Sequence, residues 1–319
     1  MMLLLSKYFK FLILVLIWGF GRYYGVNCFV LGPFRAFKVH HPCTGTGNIV
    51  KQACLSQQVR FSSKAEGETA GHKKPTISKE WKLTKDLAKI MDFKSYDDHH
   101  SDIQHVKQDM LRHLLAIYHG KKHVPVEFLD KLLSHSTKAY LDLPNIITVN
   151  RNQTTDSTRK VQFTSTLTVV GDTHGQFQDF ALLFENKEFG LFPSEENVFI
   201  FNGDMLDRGD MGLEIVTVLL FAKLLFPNSI HLIRGNHETA EQTEQYGFRK
   251  EVCKKYSEDL YLAFIRLFDA LPLGAVVNRD AFVVHGGIGL HTSTVEQLNT
   301  LQRSDELGVE IDELLWSGE

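Results

Sequence analysis

Four short apolar runs in the second half of the chain each end in a cluster of glycine and polar residues, and this pattern constrains the fold most. The clusters read Gly171-Asp-Thr-His-Gly175, Gly203-Asp-Met-Leu-Asp-Arg-Gly209, Arg234-Gly-Asn-His-Glu238 and His285-Gly-Gly287. Segments with helical periodicity separate the runs, and strands that alternate with helices predict an α/β fold. In such sheets ligands bind just beyond the carboxyl ends of the strands.

Helical periodicity also accounts for much of the chain outside these runs. A capping box at Ser101 and Gln104 opens a helix that Gly120 ends. Its apolar stripe is expected to contain Ile103, Val106, Met110, Leu114 and Ile117. Further helices are predicted at roughly 125–140, after Gly175, at 212–226 and, as one long helix, at 248–271. Residues 150–160 are predicted to be a polar loop, and residues 278–280 the turn of a hairpin.

The strand ends carry side chains of the kinds that bind divalent transition metals. The candidates are Asp172, His174, Asp204, Asp207, Arg208, Asn236, His237 and His285. No cysteine is among them, which disfavours a structural zinc site, and the set suffices for two ions bridged by one Asp. Two-metal sites activate water for in-line displacement at phosphorus, and an arginine fork matches phosphate oxygens. A single Asp or His of this kind is usually a helix cap or a core residue, but four such strand ends together predict a functional site.

These clusters resemble the motifs of the phosphoprotein phosphatase family of Ser/Thr protein phosphatases. The resemblance spans about residues 160–317, is closest in spacing to the type-5 and type-7 branch, and includes three further motifs. These are Tyr246-Gly-Phe248, Leu271-Pro-Leu273 and Leu314-Leu-Trp-Ser317. The resemblance implies a calcineurin-like metallophosphoesterase fold, an α/β architecture of the α+β sandwich type in which helices flank a central β-sandwich.

The resemblance also implies how two metal ions are held. Asp172, His174 and Asp204 would bind the first ion, and Asp204 would bridge to a second ion that Asn236 and His285 also bind. The ions would be manganese, or iron and zinc. A hydroxide activated by the two metals would attack the phosphorus of phosphoserine or phosphothreonine in line.

The remaining implied roles concern the substrate, a phosphoprotein. Arg208 and Asn236 would hold its phosphate oxygens, and His237, oriented by Asp207, would protonate the leaving alkoxide as a general acid. The implied enzyme is a protein-serine/threonine phosphatase, a phosphoric monoester hydrolase.

Two departures from the family pattern leave alternatives open. After Leu-Leu-Trp-Ser the family continues with Asp-Pro, whereas this sequence reads Gly318-Glu319, and a later metal-binding His and phosphate-binding Arg have no counterpart. We therefore expect a catalytic domain that is C-terminally incomplete and has impaired activity. One alternative is a pseudophosphatase that binds phosphoproteins without turnover. Another is a different metallophosphoesterase, such as a dinucleotide polyphosphate hydrolase, which shares the first three motifs.

The charge distribution changes near residue 65. Residues 1–65 contain eight basic and no acidic side chains, whereas the remainder holds 27 basic and all 38 acidic ones. The first segment is predicted to be a targeting or anchoring leader, directing the chain to an organelle (mitochondrion or plastid) or to the endomembrane system rather than the cytosol. If the leader is retained, residues 11–20 are the segment expected to contact a membrane.

The rest of the chain is predicted to hold a linker over 66–100 and the catalytic domain over 101–319. Within that domain we expect a helical lead-in at 101–145 and a metal-site core at 160–317. The net charge of −3 gives no basic surplus, so nucleic acid is not expected as a partner.

Overall fold

The computed structural model describes residues 26–29, 101–150, 153–155, 161–163, 165–185, 192–291, 294–303 and 308–317. Its helices are α1 Ser101–His119, α2 Val126–Leu141, α3 Phe177–Glu185, α4 Gly212–Leu225, α5 Ala240–Tyr246, α6 Phe248–Lys255, α7 Glu258–Ala270, α8 Val295–Leu298 and α9 Val309–Trp316. Its strands are β1 Val26–Phe29, β2 Ile146–Val149, β3 Gln153–Thr155, β4 Val161–Phe163, β5 Thr166–Val170, β6 Asn197–Asn202, β7 Ile230–Ile233, β8 Gly274–Val277 and β9 Ala281–Val284.

Two sheets occupy the middle of the fold. The first has the strand order β1-β5-β6-β7, and all of its strands are parallel. In the second, of order β2-β8-β9, β2 runs parallel and β9 antiparallel to β8. Strands β3 and β4 form a separate antiparallel pair.

The period of two along β5 and β6 determines which side chains lie between the sheets. One set packs in a buried cluster with Ala275 and Val277 of the second sheet. This set comprises Leu167, Val169, Val198 and Ile200. The alternate residues, Val170, Phe199 and Phe201, pack with the helices instead. Each fully buried side chain of this size stabilises the fold by roughly 1.5–3 kcal/mol.

Helices cover both outer faces of the sandwich. Helices α1 to α4, α6 and α7 contribute to the cluster on the first sheet, and α4 is buried nearly all round, as its uniformly apolar sequence predicts. On the second sheet, Leu298 of α8 and Leu314 of α9 pack with Ile146 and Phe282. The predicted sandwich flanked by helices is confirmed.

The prediction of a single long helix at 248–271 is wrong, because the structure has two helices there. The chain leaves helical geometry at Tyr256, where φ is −140° and ψ is −103°, and a new helix begins after Ser257. The Ser257 hydroxyl accepts a hydrogen bond from the Leu260 N–H at 3.2 Å, so Ser257 is an N-cap. The apolar spacing runs across the break because α6 and α7 pack into the same core.

Two smaller predictions also need correction. The segment 150–160 is not entirely loop, since Gln153–Thr155 pairs with Val161–Phe163. In α1, Val106 is 45% exposed, and the buried stripe contains Leu111, Leu115 and Tyr118 beside the expected Met110 and Leu114. A stripe of this width is usual where a helix packs on a broad core rather than along one seam.

Strand β1 belongs to the segment predicted to be a leader. It pairs with β5 along its whole length, from Val26 opposite Leu167 to Phe29 opposite Val170. Residues 11–20 and the linker at 66–100 lie outside the described residues, so the domain boundaries and the destination of the leader stay predictions. Within the described ranges no helix combines the length and apolar character needed to cross a membrane.

Candidate active site

Four strand ends meet at one edge of the sandwich. Strands β5, β6 and β7 are parallel neighbours, so the residues that follow them emerge together. Strand β9 brings His285 to the same place from the second sheet. Asn202 joins the two sheets: its side-chain N–H donates to the Val284 carbonyl at 3.1 Å, and its backbone carbonyl accepts from His285 Nδ1 at 2.6 Å.

The Asp204 carboxylate, on a residue that is only 4% exposed, contacts three of these strand ends. His174 Nε2 lies 3.5 Å from its Oδ2, and His285 Nε2 lies 3.3 Å from its Oδ1. The backbone N–H of His237 donates to Oδ1 at 3.1 Å. Asp204 therefore links residues that follow β5, β7 and β9.

The orientation of two imidazoles leaves one nitrogen of each for a ligand. Nδ1 of His174 donates to the Leu206 carbonyl at 3.0 Å, as Nδ1 of His285 does to Asn202. Fixing the proton on Nδ1 leaves Nε2 with its lone pair, the arrangement that metal-binding histidines adopt. Nε2 of His174 is buried and has no hydrogen-bond partner, although two carboxylates lie beside it.

The donor spacing fits bound cations. Ligand atoms about 2.0–2.2 Å from one ion lie roughly 3–4 Å apart. His174 Nε2 is 3.7 Å from Asp172 Oδ2, and His285 Nε2 is 3.0 Å from Asn236 Oδ1. Together with the orphaned nitrogen and the absence of thiolates among these donors, the spacing suits transition-metal ions.

Two groups of three residues each bring their ligand atoms within 4.8 Å of one another, and Asp204 belongs to both groups. One consists of His174, Asp204 and His237, the other of Asp172, Asp204 and His285. The resemblance pairs Asp172 with His174 instead. Since these two also lie within ligand spacing, the geometry accommodates either division, and in both Asp204 is the shared donor.

Several carboxylates lie close together and give the site an excess of negative charge. Burial, and then the charge of Asp204, raise the pKa of Asp172. The same two causes raise the pKa of Glu238 to about 7. Burial opposes the charged form of His285, but the carboxylates of Asp204 and Asp172 outweigh it and raise the pKa of this imidazole. Cations bound among these groups would relieve the repulsion.

A second functional unit adjoins the donors. His237 Nδ1 lies 2.8 Å from Oδ2 of Asp207, a fully buried residue whose Oδ1 accepts the Phe248 N–H at 2.8 Å. Arg208 Nη2 lies 3.2 Å from His237 Nε2. Burial opposes the imidazolium of His237, but its hydrogen bond to the Asp207 carboxylate and the charge of Asp204 outweigh burial and raise the pKa of His237. The arrangement is an imidazole oriented by a carboxylate, with a guanidinium beside its free nitrogen.

Glu238 is a site residue that the sequence analysis missed. Its buried carboxylate accepts three backbone N–H groups, those of Asp204, Met205 and Gly235, each at 2.8 Å. It therefore ties the turn after β6 to the turn after β7. A Cβ on Gly235 would lie 2.5 Å from Asp204 Oδ1, so only glycine permits this approach. The available signal was the position of Glu238 directly after His237, in a motif whose other polar members line the site.

The backbone of the site is held in unusual conformations. His174, Asp204, Asp207 and Arg208 have φ values of 41°, 53°, 67° and 61°, in the left-handed region that non-glycine residues seldom adopt. Such residues cost of order 1–3 kcal/mol each and concentrate at functional sites. The structure thus brings together all eight predicted site residues; their individual roles stay predictions.

Comparison with known proteins agrees with the fold and the site. The family profile of calcineurin-like phosphoesterases matches residues 165–318, which therefore form a calcineurin-like phosphoesterase domain. The chain is 36% identical to the serine/threonine-protein phosphatase 4 catalytic subunit of Saccharomyces cerevisiae, over 64% of this chain and 61% of that protein. It is 37% identical to human serine/threonine-protein phosphatase 5, over 60% of this chain and 38% of that protein.

A solved structure shows the same relationship. It is a protein serine/threonine phosphatase from Saccharomyces cerevisiae with similarity to human phosphatase PP5, and it matches with a TM-score of 0.56 and 31% identity, covering 62% of this chain and 61% of that one. Over this part of the sequence the chain is similar to PP5-like Ser/Thr protein phosphatases, which confirms the resemblance drawn from its motifs. It spans less than two thirds of the length of these curated relatives.

Proposed function

We propose that this chain is a metal-dependent protein-serine/threonine phosphatase. One observation carries the proposal: Asp204 is shared by two groups of metal-binding donors, and the Asp207–His237 pair and Arg208 adjoin them. The names of the relatives, protein phosphatases 4 and 5, support phosphoserine and phosphothreonine in proteins as the substrate class.

Five residues would hold two metal ions. Asp172, His174 and Asp204 would bind one, and Asp204, Asn236 and His285 the other, with manganese, or iron and zinc, as the proposed metals. When bound, such ions supply a water of lowered pKa and positive charge beside the phosphoryl oxygens. The hydrogen bonds from His174 and His285 to backbone carbonyls keep the Nε2 atoms aimed at this region before any ion arrives.

Arg208 and Asn236 would hold the phosphate. The Arg208 guanidinium lies against His237 Nε2, and phosphate oxygens are stronger acceptors for it than a ring nitrogen. A guanidinium that turned to the phosphate would leave His237 Nε2 open toward the leaving oxygen. The Asn236 side chain, already 3.0 Å from His285 Nε2, faces the same space.

His237 would move the proton. A serine or threonine alkoxide is a poor leaving group, so its release requires a proton in the transition state. The Asp207 carboxylate orients the ring through Nδ1 and stabilises the imidazolium, so that Nε2 can carry the proton to the leaving oxygen. Because Asp207 is also held by the Phe248 N–H, the pair is positioned before substrate binds.

The proposal is tested by comparing substrates with the full chain supplied with manganese. We expect phosphate release from a phosphothreonine peptide, stopped by a chelator, with kcat/KM at least about tenfold above that for diadenosine tetraphosphate; a tenfold preference corresponds to about 1.4 kcal/mol of selective binding. Preference for the dinucleotide would assign the chain to another class of phosphoesterase. Tight binding of the phosphopeptide to metal-loaded protein without turnover would make it a binding protein.

A further inference from the structure

We propose that Lys255 is a positioning residue that holds the loop bearing Asp207 and Arg208 in its reactive shape, an inference that rests on the function proposed above. The loop runs from Asp207 to Met211 and carries two consecutive left-handed residues, with φ of 67° and 61°. Residues in this region keep such a conformation only where their surroundings fix it.

The first half of the loop is held by backbone contacts. The Phe248 N–H donates to the Asp207 carboxylate at 2.8 Å, and the Arg208 N–H donates to the Tyr246 carbonyl at 3.5 Å. Gly209 donates to the His174 carbonyl at 2.9 Å. The junction between α5 and α6 thus holds Asp207 and Arg208 in place through hydrogen bonds.

The second half of the loop is held by side chains of α6. Met211 precedes α4 and offers it no side-chain cap. The Glu251 carboxylate takes that place, accepting the N–H groups of Gly212 at 3.2 Å and Leu213 at 3.0 Å. A carboxylate at this end of a helix satisfies free donors and complements the helix dipole.

Lys255 connects this cap to the loop. Its Nζ donates to Glu251 at 2.8 Å, to Glu214 at 2.7 Å and to the backbone carbonyl of Asp210 at 2.7 Å. These contacts occupy all three ammonium protons. The Asp210 carbonyl lies two residues from Arg208, so Lys255 fixes the end of the loop opposite to Phe248.

The surroundings make this ammonium hard to replace. The Glu214 and Glu251 side chains are 4% and 6% exposed, and Lys255 faces both. Burial raises the pKa of Glu251 to about 7 even though Lys255 acts in the opposite direction. A buried cluster of this kind could serve stability alone. The contact between Lys255 and the Asp210 carbonyl distinguishes positioning of the loop from stabilisation alone, because it acts on the loop itself.

The test compares Lys255→Met with Lys254→Met, a matched control on the exposed side of α6. In the full chain with manganese, Lys255→Met should raise KM for a phosphothreonine peptide about tenfold, a coupling typical of residues in one network. In an Arg208→Ala background it should raise KM less than about twofold, because the residue through which Lys255 acts is gone. Lys255→Arg keeps the charge, so its KM should lie between those of the parent and Lys255→Met. Lys254→Met should leave KM unchanged in both backgrounds.

Hydrogen exchange of the backbone amides supplies a readout that does not depend on turnover. Amides of residues 209–213 should exchange faster in Lys255→Met, while those of β6 and the control variant keep the parent rates. If Lys255→Met does not fold, Lys255→Met/Glu214→Gln, with one buried charge fewer, takes its place. The positioning role would be overturned if Lys255→Met raised KM by the same factor with Arg208 present and in the Arg208→Ala background. It would also be overturned if amide exchange in β6 accelerated as much as that of residues 209–213. A parent without turnover would defeat the proposed function, and the exchange data would still decide the role of Lys255.

Discussion

Replacing Asp204 with Asn should lower the occupancy of both metal ions. The side chain keeps its shape but loses the charge that both donor groups share, so each group loses its common member. We expect the affinity for both ions to fall by more than the roughly 10–100-fold that loss of an outer partner costs. Elemental analysis of the purified, manganese-equilibrated protein measures this directly.

Asn236→Ala provides the comparison for Asp204→Asn. Asn236 lies beside His285 and is proposed to bind only the second ion, so its loss should leave the ion held by Asp172 and His174 in place. The metal content of Asn236→Ala should then be close to one ion per chain, and that of Asp204→Asn should be lower. Equal two-ion occupancy in Asp204→Asn and the parent would refute the bridging assignment.

Asp207→Asn should lower kcat for a phosphothreonine peptide by about 10²-fold or more, the scale of general acid catalysis. The amide can no longer stabilise the imidazolium of His237 or fix its tautomer. An aryl phosphate has a good leaving group and needs less proton transfer, so its kcat should fall much less. Steady-state kinetics with both substrates measures the difference.

The same substitution should change the pH profile in a defined direction. Asp207 contributes to raising the pKa of His237, so its charge keeps the acid protonated at higher pH. In Asp207→Asn the alkaline limb of kcat should therefore move to lower pH. Asp130→Asn, on the exposed face of α2, is the matched control and should behave as the parent. Equal kcat losses for both substrates would argue against an acid role for His237.

The sequence predicted the sandwich and the position of its site because both depend on local patterns. Short continuous apolar runs, such as Val198 to Phe201, identify strands that are buried on both faces. The parallel order of β5, β6 and β7 then places their polar ends together, so the convergence of Asp172, Asp204 and His237 follows from topology.

Features that depend on contacts between distant segments were not predictable in this way. Glu238 caps backbone groups 33 and 34 residues earlier in the chain, and Glu251 caps a helix that begins 39 residues before it. The break at Tyr256 was missed because the apolar spacing continues through it. Left-handed Asp207 and Arg208 were also missed, since their conformation is imposed by the packing around them rather than by their own preferences.

The measurement that tests the central claim most directly is a manganese titration of the metal-free full chain, following phosphate release from a phosphothreonine peptide. We predict that turnover rises with metal bound and reaches its plateau at two ions per chain, since Asp204 connects two donor groups. Asp204→Asn, tested in parallel at the same metal concentrations, should stay near the metal-free rate. Turnover that is independent of manganese, or that Asp204→Asn retains in full, would contradict the account.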